Sequence, residues 1–228
     1  MQAQSVSNTR LRPFEAMRAV RKLIASPGDT SQVFVIFRAM RGRSGQRSFR
    51  RFVESPVGQA VLRERRDLFP LLTDREGLGR LPPGSLGRIY LDFVEAENLS
   101  AQGLVEASQE WDNDPQPADV ELFRRRMREL HDVTHTVTGY GRDQLGELCL
   151  LTFMYRQQGN LGMLMIVAMA WSQVPREGRK AVREAWRNGK KARWLPGQDW
   201  EKLLAQPLDE IRRELCVEVP RLYQPMSR

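Results

Sequence analysis

Residues 119–147 read DVELFRRRMRELHDVTHTVTGYGRDQLGE, and the rest of the architecture can be worked outward from them. Apolar residues recur at helical spacing from Asp119 to about Val137, with no proline among them. Gly139 and Gly141 then break the helix, and a second, apolar helix begins near Asp143. The chain's only two histidines, His131 and His135, stand four positions apart on the first helix. Four residues make about one turn, so both imidazoles project from one face, as helical histidines do when they grip one metal ion. Asp132 lies about 100° around the helix from His131. It can reach the same ion from the side, orient an imidazole, or merely pair with Arg128 four residues back. Glu147 comes after His135 with eleven residues between them, early in the second helix. A chain reversal at the glycines would face Glu147 toward the histidine pair; without one, Glu147 is an ordinary first-turn acid favoured by the helix dipole. Two nitrogens and two carboxylates suit zinc, iron or manganese, and the choice among them stays open.

Helical signals continue in both directions. Pro13 opens a segment whose apolar positions Phe14, Met17, Val20 and Ile24 recur every three or four residues, and Ser26-Pro27-Gly28 ends it. Asp29 and Thr30 are capping types ahead of Val33, Phe34, Ile36, Phe37 and Met40. Ser55-Pro56 supplies a cap and a first-turn proline ahead of Val57, Val61 and Leu62. Leu81-Pro82-Pro83-Gly84-Ser85 is a breaker before a helix through Tyr90 and Phe93. An acidic, proline-bearing loop over 110–117 leads into the long helix. Beyond the glycines, the apolar helix is expected to run from Asp143 to Ala170, with polar relief over 156–160. A basic amphipathic helix over about 175–191 and a last helix over about 199–215 complete the reading. Residues 33–37 resemble a strand but have no second strand to pair with. The expected fold is all-α: a single multi-helix domain over residues 29–228, behind a helical N-terminal extension over 1–28.

Composition narrows the function classes. With 228 residues and 41 % apolar content the chain can bury a full core. Cys149 and Cys216 are its only cysteines, too few for a disulfide framework or a thiolate zinc site. The longest near-continuous apolar run, 161–171, falls short of the ~20 residues that cross a bilayer, and residues 1–12 are polar. The expected location is the cytoplasm or the inner face of a membrane. Thirty-six Lys and Arg against 28 Asp and Glu leave a net charge of +8. The excess concentrates in Arg38, Arg41, Arg43, Arg47, Arg50 and Arg51, and again over 176–193. Such helices suit an anionic membrane surface, unless they are simply solvated faces. Nucleic acid is not expected as a partner, because no helix-turn-helix, zinc finger or aromatic-rich sheet accompanies the charge.

The motif His131-Asp132-Val133-Thr134-His135, eleven residues, then Glu147 resembles the signature of the coenzyme Q biosynthesis protein 4 family. Arg126-Met127-Arg128-Glu129-Leu130 is similar to the R-x-R-E segment that leads into it. Leu81-Pro82-Pro83-Gly84-Ser85-Leu86-Gly87, then Tyr90 and Phe93, looks like that family's L-P-x-G-[ST]-[LF]-G-x-x-Y-x-x-F block. Residues 186–192, then Trp200-Glu201, resemble its tail, and the likeness spans roughly 29–215. Tyr140-Gly141-Arg142-Asp143 is more polar than the equivalent loop of mitochondrial members. The resemblance implies a helical, peripherally membrane-bound protein of the ubiquinone pathway. Its metal, zinc first with iron or manganese as alternatives, would be held by His131, Asp132, His135 and Glu147. It implies action on a polyprenylated hydroxybenzoate intermediate by oxidative decarboxylation at the ring carboxylate carbon, or else a non-catalytic lipid-binding scaffold for the other quinone-biosynthesis enzymes. The apolar stretches 148–155 and 161–171 could wall a channel for an isoprenoid or other long-chain lipid, or could be plain core. Arg126 and Arg128 are candidates to orient an anionic head group, against the simpler reading of surface ion pairs. A homodimer is left open.

Overall fold

The computed structural model describes residues 10–25, 31–97 and 116–226. Among them the chain is helical, with one isolated antiparallel bridge between Ser85 and Pro207 and no strand. The order is α1 (Pro13–Ala25), α2 (Ser31–Ala39), α3 (Ser44–Glu54), α4 (Pro56–Glu64), two short helices α5 (Phe69–Thr73) and α6 (Arg75–Gly79), and α7 (Leu86–Ala96). The long α8 (Ala118–Thr138) follows, then α9 (Gln144–Gln158), α10 (Leu161–Ala170) and α11 (Arg176–Lys191). A 3-10 turn (Leu195–Gly197), α12 (Trp200–Leu203) and α13 (Leu208–Glu214) end the series. The turn residues at 26–30 and all but the end of the acidic loop lie outside the described residues.

Local signals place most helix starts. Ser55 accepts from the Gly58 amide at 3.0 Å with Pro56 behind it, and Ser85 accepts from the Arg88 amide at 3.4 Å. The main core gathers α7, α8, α9, α11 and the C-terminal helices around Tyr90, Val133, Leu150, Phe153, Trp200 and Ile211. α9 and α11 approach closely because Gly189 has no side chain: a Cβ there would stand 2.7 Å from the Phe153 carbonyl oxygen. A second cluster joins α3 and α4 to the start of α8 through Phe49, Phe52 and Phe123. A third seats α1 and α2 on α10 through Val20, Ile36 and Met165.

Three features depart from the sequence expectation. The apolar helix expected over 143–170 is two helices. Gly159 ends α9 in the left-handed region, and Asn160 caps α10 through the Gly162 amide while its own amide donates to the Phe37 carbonyl on α2. The last helix is likewise interrupted over 204–207. There the Leu204 and Gln206 carbonyls accept from the Gly87 and Leu86 amides at the start of α7, and Pro207 restarts the helix. On α1 the small residues Ala16 and Ala19 turn inward with Val20, whereas Phe14 is 89 % exposed and Met17 46 % exposed. The side chain of Ile24 lies outside the described residues.

Of the two apolar stretches, 148–155 is mostly main-core packing, with Leu148, Cys149, Leu150, Phe153 and Met154 buried. By contrast α10 fully buries only Gly162, Met163 and Val167 of its ten residues. Met165, Ile166 and Met169 are partly covered by α1 and α2, and Leu161 and Ala168 are exposed, which leaves this apolar helix half-open. Arginines lean on aromatic faces here: Arg179 and Arg183 of α11 cover Trp171, and Arg156 of α9 covers Trp186 of α11. No helix among the described residues is long and apolar enough to cross a membrane.

Candidate metal centre

α8 ends where Gly139 takes a φ of 78° and its amide bonds the His135 carbonyl at 2.8 Å. α9 starts where Asp143 accepts from the Leu145 and Gly146 amides at 3.1 and 3.3 Å. The short turn between these caps sets Glu147, in the first turn of α9, beside the last two turns of α8. Its Oε1 lies 3.5 Å from His135 Nε2 and its Oε2 lies 3.9 Å from His131 Nε2.

Both imidazoles are held by their other nitrogen. His131 Nδ1 donates to Asp132 Oδ1 at 3.0 Å, and His135 Nδ1 donates to the Tyr140 carbonyl at 2.8 Å. A ring that donates through Nδ1 keeps its lone pair on Nε2, so both lone pairs are left facing Glu147. His135 Nε2 is buried and has no hydrogen-bond partner. Phe93, from the proline-glycine block's helix α7, stacks on the His135 ring at 5.8 Å and 23°. The two histidine rings meet edge to face at 4.8 Å.

The donor set fits a small divalent ion. Ligands about 2.0–2.2 Å from a tetrahedral ion stand roughly 3.3–3.6 Å from each other. The nitrogen-to-oxygen separations of 3.5 and 3.9 Å therefore need only a small side-chain rotation. Asp132 also offers a carboxylate oxygen within 4.8 Å of a nitrogen of each histidine. The electrostatics agree. Burial alone would raise the Glu147 pKa, but His135, His131 and Arg142 outweigh it and hold the carboxyl below its usual range. Asp132 is likewise lowered, burial being outweighed by its bond from His131 and by the charges of His131, His135 and Arg142. For His131, burial disfavours the proton, yet the Asp132 bond and the Glu147 charge prevail and raise its pKa. Two carboxylates thus stand beside two imidazoles, with Arg142 3.5 Å from Glu147.

The two arginines named from the sequence part company. Arg126 is 1 % exposed and bonds both oxygens of Glu201 at 2.6 and 2.8 Å, with a further bond to the Gln198 carbonyl at 3.3 Å. Nine residues before His135 puts it about 180° around the helix, so it braces α8 against α12 instead of facing the histidines. Arg128 shares the histidine face, about 20° from His135, and pairs with Glu121 at 3.2 Å. Phe93, the Tyr140 carbonyl and Arg142 were not assigned to the site from the sequence. The carbonyl has no side-chain signature; Phe93 and Arg142 were visible only as parts of a motif and a polar turn.

A family model described as coenzyme Q (ubiquinone) biosynthesis protein Coq4 matches residues 15–221. The chain belongs to the Coq4 family. Among Coq4 relatives, the mitochondrial ubiquinone biosynthesis protein COQ4 homolog of Danio rerio is 31 % identical over 176 residues, 75 % of this chain and 63 % of that one. The Podospora anserina protein is 29 % identical over 182 residues, 77 % of this chain and 58 % of its own length. The chain thus spans about three-fifths of these two proteins. The Yarrowia lipolytica protein matches more of its length, 27 % identical over 213 residues, 90 % of this chain and 76 % of that one. A crystal structure from Nostoc punctiforme, of a protein assigned to ubiquinone biosynthesis, superposes with a TM-score of 0.67 at 21 % identity. It covers 91 % of this Coq4 chain and 99 % of that one, so the two share the fold.

Proposed function

We propose that this Coq4 family member is a metal-dependent protein of ubiquinone biosynthesis, acting on a polyprenylated hydroxybenzoate-type intermediate. The observation that carries the reading is the pair of Nε2 atoms facing the Glu147 carboxylate while both Nδ1 atoms are engaged elsewhere. His131, His135, Glu147 and Asp132 would hold the ion, zinc by preference and iron or manganese as alternatives. Bound there, a divalent ion supplies charge stabilisation to an anionic carboxylate or phenolate and to negative charge developing on the ring.

The chain's own residues supply the rest of the proposal. The Tyr140 carbonyl holds His135 in the ligating tautomer, and Asp132 does the same for His131 until its carboxylate turns to the ion. Phe93 covers the inner imidazole and limits water there. Arg128, on the histidine face, offers charge to an anionic head group. In the reaction the ring–carboxylate bond breaks and a ring–oxygen bond forms. With water as oxygen source, carbon dioxide, one proton and two electrons leave, the electrons going to an external oxidant of the dioxygen class.

The isoprenoid tail is assigned to the half-open α10, because 148–155 is taken up by the core. Peripheral attachment to an anionic membrane, at the inner face, is assigned to Phe14, Met17 and Leu11 beside the exposed Arg18, Arg21 and Lys22 on and before α1. The half-open α10 also favours a second reading. A lipid-binding scaffold for other quinone-biosynthesis enzymes would need that helix and not the metal.

One set of measurements separates the two. Purified full-length chain is expected to carry one divalent ion per chain by elemental analysis, and to float with phosphatidylglycerol vesicles. A quinone-producing host whose own homologue is replaced by Glu147→Ala is expected to accumulate the carboxylated, polyprenylated precursor. Normal quinone synthesis by a metal-free Glu147→Ala protein would overturn the enzyme reading in favour of the scaffold.

A further inference from the structure

The C-terminal segment does not trail away from the fold; it closes over the turn that carries the candidate site. The guanidinium of Arg212 donates to the Val137 and Thr136 carbonyls at 2.9 and 3.2 Å, at the end of α8. The carboxylate of Glu184 on α11 accepts from the Arg221 and Leu222 amides at 3.2 and 2.9 Å, which fixes the path of the tail. The phenol of Tyr223 then enters the turn itself. Its oxygen accepts from the Gly141 amide at 3.1 Å and its hydroxyl donates to Asp143 Oδ2. Its ring meets Tyr140 edge to face at 5.6 Å, and the Met226 amide donates to Asp143 Oδ1 at 3.1 Å.

The turn is shaped to admit this hydroxyl. A Cβ on Gly141 would stand 2.7 Å from the Tyr223 oxygen, and one on Gly146 would stand 2.8 Å from it. Gly139 answers a different need, a left-handed φ of 78°. Gly141 clears space for the phenol, whereas a Cβ on Gly146 would first meet the Gly141 carbonyl oxygen, so Gly146 serves the close turn as well as the phenol. On one side of the phenol is Tyr140, whose carbonyl orients His135. On the other is Asp143, which caps the helix that presents Glu147.

We infer that Tyr223 is a positioning residue for the metal centre. Its hydroxyl ties the two halves of the 139–143 turn together and so holds His135 and Glu147 at ligating distance, which couples metal binding to docking of the C-terminal tail. The inference rests on the metal reading above. It acts through other groups: Tyr223 touches neither the ligand atoms nor a substrate. Coupling of this kind is reciprocal, so the factor by which the docked tail tightens metal binding is the factor by which bound metal tightens the tail.

The test uses the full chain and zinc alone. Tyr223→Phe keeps the ring on Tyr140 and removes only the hydroxyl. Groups that directly orient ligating histidines cost 10–100-fold in metal affinity when changed, and Tyr223 acts one step further out, so the expected loss is about tenfold. The metal-free melting temperature should stay within a few degrees of wild type, which a purely structural role would not allow alongside weaker zinc binding. Gly141→Ala, which crowds the hydroxyl without removing it, is expected to give a similar loss. In the wild type, saturating zinc should slow tryptic cleavage after Arg221 by about tenfold, a protection absent in Tyr223→Phe.

Zinc affinity of Tyr223→Phe within twofold of wild type would overturn the inference and leave the metal reading intact. Zinc-independent cleavage after Arg221 in a wild type that does bind zinc would do the same, and needs no variant to fold. A wild type that takes up no divalent ion would overturn both.

Discussion

Alanine at either Glu147 or His131 is expected to weaken divalent-ion binding by well over 100-fold, because even the groups that merely orient a ligand cost 10–100-fold when removed. The two residues come from different helices, so a shared site requires both losses. Their side chains are 33 % and 25 % exposed, and neither belongs to the apolar core. Each variant removes a partner from a partly buried cluster, Asp132 losing His131 or Arg142 losing Glu147, which costs about 1 kcal/mol, so the metal-free melting temperatures should fall by roughly 2–4 °C. The contrast appears on adding metal. At 100 times its dissociation constant an ion that binds only the native state stabilises it by about 2.7 kcal/mol. In a chain of this length that raises the melting temperature by roughly 5–10 °C. Wild type should show the rise and both variants should not. A rise retained in Glu147→Ala would remove Glu147 from the ligand set.

Arg126→Ala is expected to damage the fold and not the chemistry. Its guanidinium is buried and bonds both oxygens of Glu201, whose side chain is only 14 % exposed. Removing one partner of such a pair strands the other charge and costs about 3–5 kcal/mol. That is a large part of the 5–15 kcal/mol that holds a typical domain folded, and corresponds to a melting temperature lower by roughly 6–20 °C. Replacing both partners, Arg126→Met with Glu201→Leu, removes the stranded charge and should recover most of the loss. Thermal melts of the three variants decide it. A wild-type melt for Arg126→Ala, with weaker binding of an anionic head group, would return Arg126 to the substrate-contact role suggested by its place in the motif.

The contrast between Arg126 and Arg128 marks what the sequence could convey. Local features were legible. The four-residue histidine spacing, the glycine break, the cap at Ser55 and the breaker ending at Ser85 each depend on neighbours within a turn or two, and the all-α architecture follows from such features. The break at Gly159 and Asn160 was harder, because a glycine followed by asparagine reads as mild polar relief until the Asn160 amide is seen bonding the Phe37 carbonyl on α2. Arg126 could not be placed, since its partner Glu201 lies 75 residues away and the burial of an arginine depends wholly on that partner. Phe14 failed for a related reason. Helical spacing names an apolar face, but α1 meets its neighbours through small alanines that pack closely, and the bulky residue is turned outward. Tyr223 left no sign at all, because its contact with Asp143 spans 80 residues and depends on two glycines being bare at the same point.

X-ray absorption at the metal edge of the zinc-loaded, full-length chain tests the central proposal most directly. Two imidazole nitrogens and carboxylate oxygens should surround the ion at about 2.0–2.2 Å, with no sulfur. A first shell that contains sulfur near 2.3 Å, or only one imidazole, would contradict a site built from His131, His135, Asp132 and Glu147.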